Sequence, residues 1–154
     1  MKNSITQWAQ AGDPNAMIKL AEIFIAEGDF DSAKKFLAQA VEKNYRPAAK
    51  MLAKIFDDEK NFPEAVNFYI KAAELQDVEA MERIIELCPD DEKILNTILA
   101  IIDSQYNDIY STENFVQRTF AFGSGRNEEY THQYQQAIER RRIRNKILQL
   151  KSKP

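Results

Sequence analysis

Glycine and proline are scarce in this chain of 154 residues, which contains only 4 Gly and 5 Pro. Long alternating runs of valine and threonine, which are typical of β-strands, are missing as well. A β-rich domain would need more turn-forming residues than this composition supplies. We therefore expect a nearly all-helical (all-α) domain. With 44% hydrophobic and 29% charged residues, the composition is ordinary for a globular domain with a buried core.

Side chains for nucleophilic and metal chemistry are also few. The chain has one cysteine, Cys88, and one histidine, His132. His132 has no Ser or Cys partner at the spacing of a catalytic motif. Cys88 comes just before Pro89 at a predicted helix end, which is typical of a buried structural thiol. We therefore expect a protein that is not an enzyme and has no catalytic residues, no cofactor and no metal site.

Long apolar segments are absent too. No stretch of the sequence approaches the roughly 18 apolar residues that a membrane-spanning helix requires. Residues 1–8 lack the apolar core of a signal peptide, and a single cysteine cannot form an internal disulfide. These features predict a cytoplasmic protein without a membrane span.

What the sequence does contain is a repeat with a period of about 32 residues. The second copy carries the same residue types as the first: Ala16, Leu20, Phe24 and Ala40 recur as Ala48, Leu52, Phe56 and Ala72. A third and degenerate copy begins with Ala80 and Ile84. Each unit reads as two short helices, and one helix pair cannot bury its apolar face alone. The period therefore predicts an α-solenoid of about three helix-turn-helix repeats, whose stacked units offer an elongated binding surface.

The predicted helices follow the apolar pattern and the turn residues between them. They cover residues 4–11, 14–27, 30–43, 47–57, 62–75, 77–88 and 91–103. After Ser104 the repeat is lost, aromatic residues become frequent, and a long helix is predicted from about 127 to 150. We therefore divide the chain into a repeat domain, 1–103, and an aromatic-rich helical extension that ends in a basic helix, 104–154.

The C-terminal helix is strongly basic. Residues 140–154 contain seven cationic and no acidic residues. Because the net charge of the chain is −3, residues 1–139 carry a net charge of −10. The basic helix could fold back onto this acidic body or stay solvated. One face of the helix is predicted to pack on the body, and its members are Tyr130, Tyr134, Ala137 and Ile138.

The nearly opposite face of this helix, which carries Ile143, Ile147 and Leu150, is predicted to point away from the body unless the helix bends. Either it meets a second chain, which would allow a homodimer, or the helix frays. The candidate second contact surface consists of Arg140, Arg141, Arg142, Ile143, Arg144 and Ile147. Nucleic-acid binding through these cations is disfavoured, because an acidic body would repel a long polyanion and no groove-reading motif accompanies the helix.

The repeat units resemble Sel1-like repeats and, more broadly, tetratricopeptide repeats. The resemblance is carried by Ala16-x-x-x-Leu20-Ala21-x-x-Phe24 with Gly28, and by the joint in which Lys71-Ala72-Ala73-Glu74 is followed by Asp77-Val78-Glu79-Ala80. It covers roughly residues 3–103. The period is shorter than the ~34 residues of tetratricopeptide units, and Lys60 stands where the first unit has Gly28.

The resemblance implies that the first helix of each unit lines the concave side and that no catalytic residue is shared by the family. The residues that would point there, and that we take as candidate partner-binding residues, are Ile18, Glu22, Ile25, Lys50, Lys54, Asp57, Glu79, Glu82 and Glu86. This groove would change from apolar, through basic, to acidic along the repeats.

The leading hypothesis is a non-catalytic scaffold or adaptor, of the bacterial Sel1-like sort, that binds another protein through the concave repeat surface. A narrower alternative is a small dedicated chaperone, or an immunity protein that covers one toxin or effector. A second alternative is a nucleic-acid-associated factor that uses the basic C-terminal helix. The identity of the partner stays open.

Overall fold

The computed structural model of the protein describes residues 2–105 and 128–152, with side chains described for 4–105 and 135–152. The aromatic-rich segment predicted after Ser104 lies almost entirely outside the described residues, as do the side chains of Tyr130, His132 and Tyr134.

Every described segment is a helix or a turn between helices. The helices are α1 (Lys2–Gln10), α2 (Pro14–Ala26), α3 (Phe30–Glu42), α4 (Arg46–Asp58), α5 (Phe62–Glu74), α6 (Val78–Leu87), α7 (92–105) and α8 (Glu128–Lys151). The predicted all-α fold, a solenoid of helix-turn-helix repeats, is confirmed.

Five turns in the first half of the chain have the same backbone geometry. Each contains one residue with a positive φ, and these residues lie at equal intervals along the chain: Gly12, Gly28, Asn44, Lys60 and Gln76. At Gly28 the backbone N–H donates to the Ile25 carbonyl at 3.0 Å, and the Asp29 N–H donates to the Phe24 carbonyl at 2.8 Å. The same pair of hydrogen bonds closes the other four turns, which is the Schellman arrangement that ends a helix.

The repeat is therefore built from two similar modules, each of which is one helix with its turn and spans half of the period. Each of the helices α2 to α5 has 13 residues, and a short turn follows it. Lys60 takes the left-handed conformation that Gly28 takes one repeat earlier, although its φ of 63° is unfavourable for a residue with a Cβ. The backbone geometry of the repeat thus persists where its glycine does not.

Helix starts are set by short side chains and prolines. The Asp13 carboxylate accepts a 2.9 Å hydrogen bond from the Asn15 N–H, and Asp29 accepts one of 3.1 Å from the Ser32 N–H. Such caps satisfy backbone donors that have no partner within the helix. Pro14, like the prolines of α4 and α5, stands at the start of its helix, where its missing N–H is not needed.

The cores of the first two repeats share most of their buried positions. The repeated alanines and leucines are buried in both copies, and so is the first part of the third: Ala16, Leu20, Ala33, Ala40, Ala48, Leu52, Ala65, Ala72 and Ala80. The Phe24 and Phe36 rings stack with centroids 5.9 Å apart, and the equivalent Phe56 and Phe68 rings stack at 5.6 Å. Small alanines let paired helices approach closely, and the stacked rings add an aromatic contact between the two helices of each pair.

The described residues divide between two compact units that meet in sequence between Ala80 and Met81. Unit 1 contains α1 to α5 and the start of α6, and unit 2 contains the rest of α6 with α7 and α8. The domain division predicted at residue 103 stays a prediction.

Within unit 2, the second half of α8 runs antiparallel to α7. The Arg144 Nε atom lies 3.2 Å from the Asp103 carboxylate near the end of α7. Two helical turns further along α8, the Lys151 ammonium lies 3.8 Å from the carboxylate of Glu92 at the start of α7 and donates a hydrogen bond to the Asn96 side chain. The basic helix therefore folds back onto acidic side chains of its own unit.

The face of α8 that is buried differs from the predicted one. Ile143 and Ile147 are at most 1% exposed and Arg140 is 5% exposed, whereas Ile138 is 43% exposed. The prediction that Ile143 and Ile147 point away from the chain is wrong. A narrow apolar stripe is enough to bury this side of α8, because the aliphatic part of an arginine such as Arg140 can extend the buried surface.

Candidate protein-binding surface

The first helices of the two complete repeats, α2 and α4, each carry a line of residues beside their buried stripe. On α2 this line contains Ile18, Glu22 and Ile25, whose spacing of four and three positions puts them on one side of the helix. Glu22 is exposed, and both isoleucines are half-buried. Lys54 occupies the corresponding place on α4 and is exposed.

Lys50 on α4 is engaged by the start of α6. Its ammonium group donates a hydrogen bond to Glu79 and lies 3.5 Å from the carboxylate of Asp77, which also caps α6 through the Ala80 N–H. Partial burial of Lys50 opposes its charged form, but the hydrogen bond to Glu79 and the two nearby carboxylates outweigh this and raise the pKa of the lysine. The same hydrogen bond, followed by the lysine charge, lowers the pKa of Glu79.

Two predicted partner-binding residues, Lys50 and Glu79, are thus brought together and neutralise one another. Their ion pair joins α4 to the start of α6 within unit 1. Lys54 differs, because no described residue forms an ion pair with it. The positive charge that this surface can offer to a ligand therefore sits at Lys54 and not at Lys50.

Asp57 departs from its predicted place in the groove. Its side chain is buried, with 7% exposed, and its carboxylate accepts a 3.3 Å hydrogen bond from the Tyr69 hydroxyl on α5. A buried carboxylate needs such a donor because desolvation disfavours its charge. The prediction that Asp57 faces a partner is therefore wrong, because α5 reaches it at the end of α4.

The remaining predicted residues, Glu82 and Glu86, belong to unit 2. Glu82 is half-buried, and Glu86 is exposed and forms a 2.9 Å ion pair with Arg83 one helical turn away. Such an exposed pair within one helix contributes little to stability and can be broken by a ligand. Their part in a binding surface stays a prediction.

We call Ile18, Glu22, Ile25 and Lys54, together with the Lys50–Glu79 pair, the first-helix surface. It offers apolar area on α2, one negative charge beside it, and one positive charge on α4. The arrangement suits contact with a polypeptide that carries apolar side chains, since apolar area gives affinity and a few charges fix orientation.

Sequence reasoning missed Lys34, which links the first repeat to the second. Its ammonium group on α3 donates to both carboxylate oxygens of Glu59 at 2.9 and 3.2 Å and lies 5.4 Å from the centre of the Phe56 ring. The hydrogen bond to Glu59 outweighs partial burial and, with Asp31 nearby, raises the pKa of the lysine. No local pattern marks this contact, because its partners are 25 residues apart.

A second missed contact also joins successive repeats of unit 1. The Tyr45 hydroxyl, at the residue that precedes α4, donates a hydrogen bond to the Asn15 side chain at the start of α2. Asn15 lies about one helical turn before Ile18 and so borders the first-helix surface. Together with the Lys50–Glu79 pair, this hydrogen bond connects the helices that carry the surface.

Groups with reaction chemistry are not assembled in the described residues. No cluster of three or more His, Cys, Asp or Glu side chains in this part of the chain could hold a metal ion. Cys88 is half-buried, and burial, followed by the charge of Asp91, raises the pKa of its thiol. A raised pKa leaves less reactive thiolate at neutral pH.

Comparison with known families matches residues 6–55 to the tetratricopeptide repeat. The matched segment contains α2, α3 and most of α4, and with them Ile18, Glu22, Ile25 and Lys54. This part of the chain is therefore similar to tetratricopeptide repeats, which generally mediate interactions between proteins. No curated protein gives a significant match.

None of the described helices is both long enough and apolar enough to cross a membrane.

Proposed function

We propose that this chain is a non-catalytic scaffold that binds a partner protein through the first-helix surface. The observation that carries the proposal is the state of two isoleucines on α2. Ile18 and Ile25 keep part of their surface in contact with solvent, while Ala16, Met17 and Leu20 of the same helix are buried. Covering such apolar surface with a partner is favourable in proportion to the area removed from water.

The charges beside this apolar line define the partner further. Glu22 is exposed between the two isoleucines, and Lys54 on α4 has no ion-pair partner among the described residues. A bound segment would therefore place apolar side chains over α2 and an acidic side chain near Lys54. Electrostatic complementarity of this kind selects the partner more than it strengthens binding.

The Sel1-like residues at the joint between the second and third repeats support a narrower form of the proposal. In that form the chain is an adaptor of the Sel1-like sort that holds another protein within a complex. A dedicated chaperone or an immunity protein would use the same surface, but for one partner only. The number of proteins that depend on the surface distinguishes these forms.

The test is quantitative affinity capture from an extract of the native cell. We expect Ile18→Glu/Ile25→Glu to lose the partner that the unaltered chain retains, because the substitution puts charge where the partner needs apolar contact. The matched control is Phe30→Ser/Phe62→Ser, which removes two exposed apolar side chains of unit 1 that lie off the surface.

Both variants should keep the helical circular dichroism spectrum and the melting temperature of the unaltered chain, since all four residues are at least partly exposed. A partner that is lost only with Ile18→Glu/Ile25→Glu supports the proposal. Partners retained equally by all three proteins, or lost equally by both variants, contradict it. Loss of one protein favours the chaperone or immunity form, and loss of several favours the adaptor.

A further inference from the structure

The side of α8 that faces solvent has an unusual composition. At 100° per residue, Ile143 and Ile147 define the buried side of the helix, and Asn145 lies nearly opposite them. Exposed residues around Asn145 include the polar Gln135 and Gln149. The others form what we call the outer face of α8: Ile138, Arg141, Arg142, Asn145, Lys146 and Leu148. The outer face combines three cations with two apolar side chains and carries no acidic residue.

The cations of the outer face form no ion pair with another described helix. Arg141 and Lys146 form no ion pair with a described residue, and Arg142 has only a 3.7 Å contact with Glu139 on the same helix. Arg144 and Lys151, at the edge of the buried side, are instead matched by Asp103 and Glu92 of α7. One side of the helix thus already binds carboxylates, and the other side offers the same chemistry to solvent.

Two apolar side chains stand near the ends of the cationic stretch. Ile138 and Leu148 are each 43% exposed. Their separation in sequence corresponds to ~15 Å along a helix. Apolar side chains that flank arginines are typical of surfaces that bind proteins, where a few buried anchors supply most of the affinity.

We propose that the outer face of α8 binds an acidic, amphipathic segment of another protein. Carboxylates of that segment would pair with Arg141, Arg142 and Lys146, and its apolar side chains would cover Ile138 and Leu148. This surface is separate in residues from the first-helix surface, so the inference does not depend on the proposed function.

A protein segment fits the outer face better than nucleic acid does. The phosphate backbone of a nucleic acid needs cations but gains nothing from covering isoleucine and leucine. Residues 1–139 also carry a net charge of −10. This charge repels a long polyanion more strongly than it repels a short acidic peptide.

The test measures binding to the full chain by fluorescence anisotropy. The main probe is a labelled helical peptide of about 15 residues made of Glu and Leu, long enough to span the distance from Ile138 to Leu148. A Glu/Ser peptide of equal length and charge tests the need for apolar contact, and a duplex DNA of similar length tests nucleic acid. The altered protein is Arg141→Glu/Arg142→Glu/Lys146→Glu.

We expect this charge reversal to lower the affinity for the Glu/Leu peptide by about tenfold or more, since three exposed charge pairs are replaced by repulsion. The matched control, Lys19→Glu/Lys35→Glu/Lys43→Glu, changes the net charge equally at three exposed lysines of unit 1 and should change the affinity by less than about threefold. Ile138→Ser/Leu148→Ser should lower the affinity of the protein for the Glu/Leu peptide but not its affinity for the Glu/Ser peptide.

Four results would overturn the proposal: no binding of the Glu/Leu peptide, equal losses in the two charge reversals, tighter binding of duplex DNA than of the peptide, or equal affinity for the two peptides. Self-association of the unaltered chain that the α8 reversal abolishes would assign the face to a second copy and would also overturn it. Should the reversal change the circular dichroism spectrum, Arg141→Gln/Arg142→Gln/Lys146→Gln replaces it, with an expected loss of about threefold or more.

Discussion

The repeats of unit 1 and the long helix of unit 2 bury their apolar side chains under different constraints. In unit 1 most buried positions occur twice, so Leu20 and Leu52 are buried at equivalent places on equivalent helices. Helix α8 has no second copy among the described helices, and its buried stripe of two isoleucines is extended by the arginine at position 140. A repeated core is specified by its period, whereas a single docked helix is specified by the neighbour that it covers.

The comparison is tested most strongly by shortening one buried side chain in each region. Leu52→Ala in the second repeat and Ile147→Ala in α8 should each lower the free energy of unfolding by about 2–5 kcal/mol, because both residues are almost fully buried. Urea denaturation followed by circular dichroism measures both.

The control for this prediction is Ile138→Ala, which removes apolar atoms from the exposed side of α8. It should cost less than about 1 kcal/mol. An effect of Ile147→Ala no larger than that of Ile138→Ala would show that the buried side of α8 in solution is not the one described above.

The turns allow a sharper comparison between the two repeats, with a smaller expected effect. Lys60→Gly should raise the free energy of unfolding by about 1 kcal/mol, because glycine adopts the positive φ of this turn without steric cost. Gly28→Ala should lower it by about 1 kcal/mol through backbone strain alone, since a Cβ at Gly28 would touch no atom within 4 Å. Thermal and urea denaturation check both signs.

Lys54→Gly is the control for the lysine replacement. It places glycine inside α4, where backbone entropy makes it unfavourable, so a loss of about 1 kcal/mol is expected. If Lys60→Gly destabilises the protein as Lys54→Gly does, the left-handed turn is not shared by the two repeats.

The smallest expected effect concerns the ion pair between the first helices of the second and third repeats. The folded pKa of Glu79 lies below its ordinary value of 4.5, so the contribution of the pair to stability is complete above that pH and is lost as the pH falls through the lowered pKa. Because the Glu79 side chain is 76% exposed, we expect at most about 1 kcal/mol.

Glu79→Gln should remove this part of the pH dependence, which denaturation of both proteins between neutral pH and about pH 3 measures. The exposed Glu42, which forms no ion pair with a described residue, gives the control Glu42→Gln. Identical pH profiles for Glu79→Gln and the unaltered chain would contradict a stabilising pair with Lys50.

Periodicity explains which features could be predicted from the sequence. The helices of unit 1 and their buried alanines follow from residue types that recur at fixed spacing, and the structure moves the helix bounds only slightly. The even spacing of all five turns could not be predicted, because glycine marks only Gly12 and Gly28, and Asn44, Lys60 and Gln76 take the same conformation without it.

The candidate surface was only partly predictable for a different reason. A helical wheel gives the direction of a side chain but not the length of the neighbouring residue that meets it. Tyr69 therefore buries Asp57, and Asp77 and Glu79 engage Lys50, although helical spacing puts Asp57 and Lys50 on the same side of α4. The wheel failed similarly for α8, where Arg140 extends the stripe that two isoleucines begin.

The common geometry of the five turns has a consequence for engineering and for evolution. Since the connection within a hairpin equals the connection between hairpins, a duplicated hairpin could be grafted at any of these loops with both of its junctions already compatible. A graft of one helix with its turn would keep the junctions but exchange the roles of the first and second helices in every repeat that follows. Whole hairpins are therefore the natural increments by which this array can lengthen.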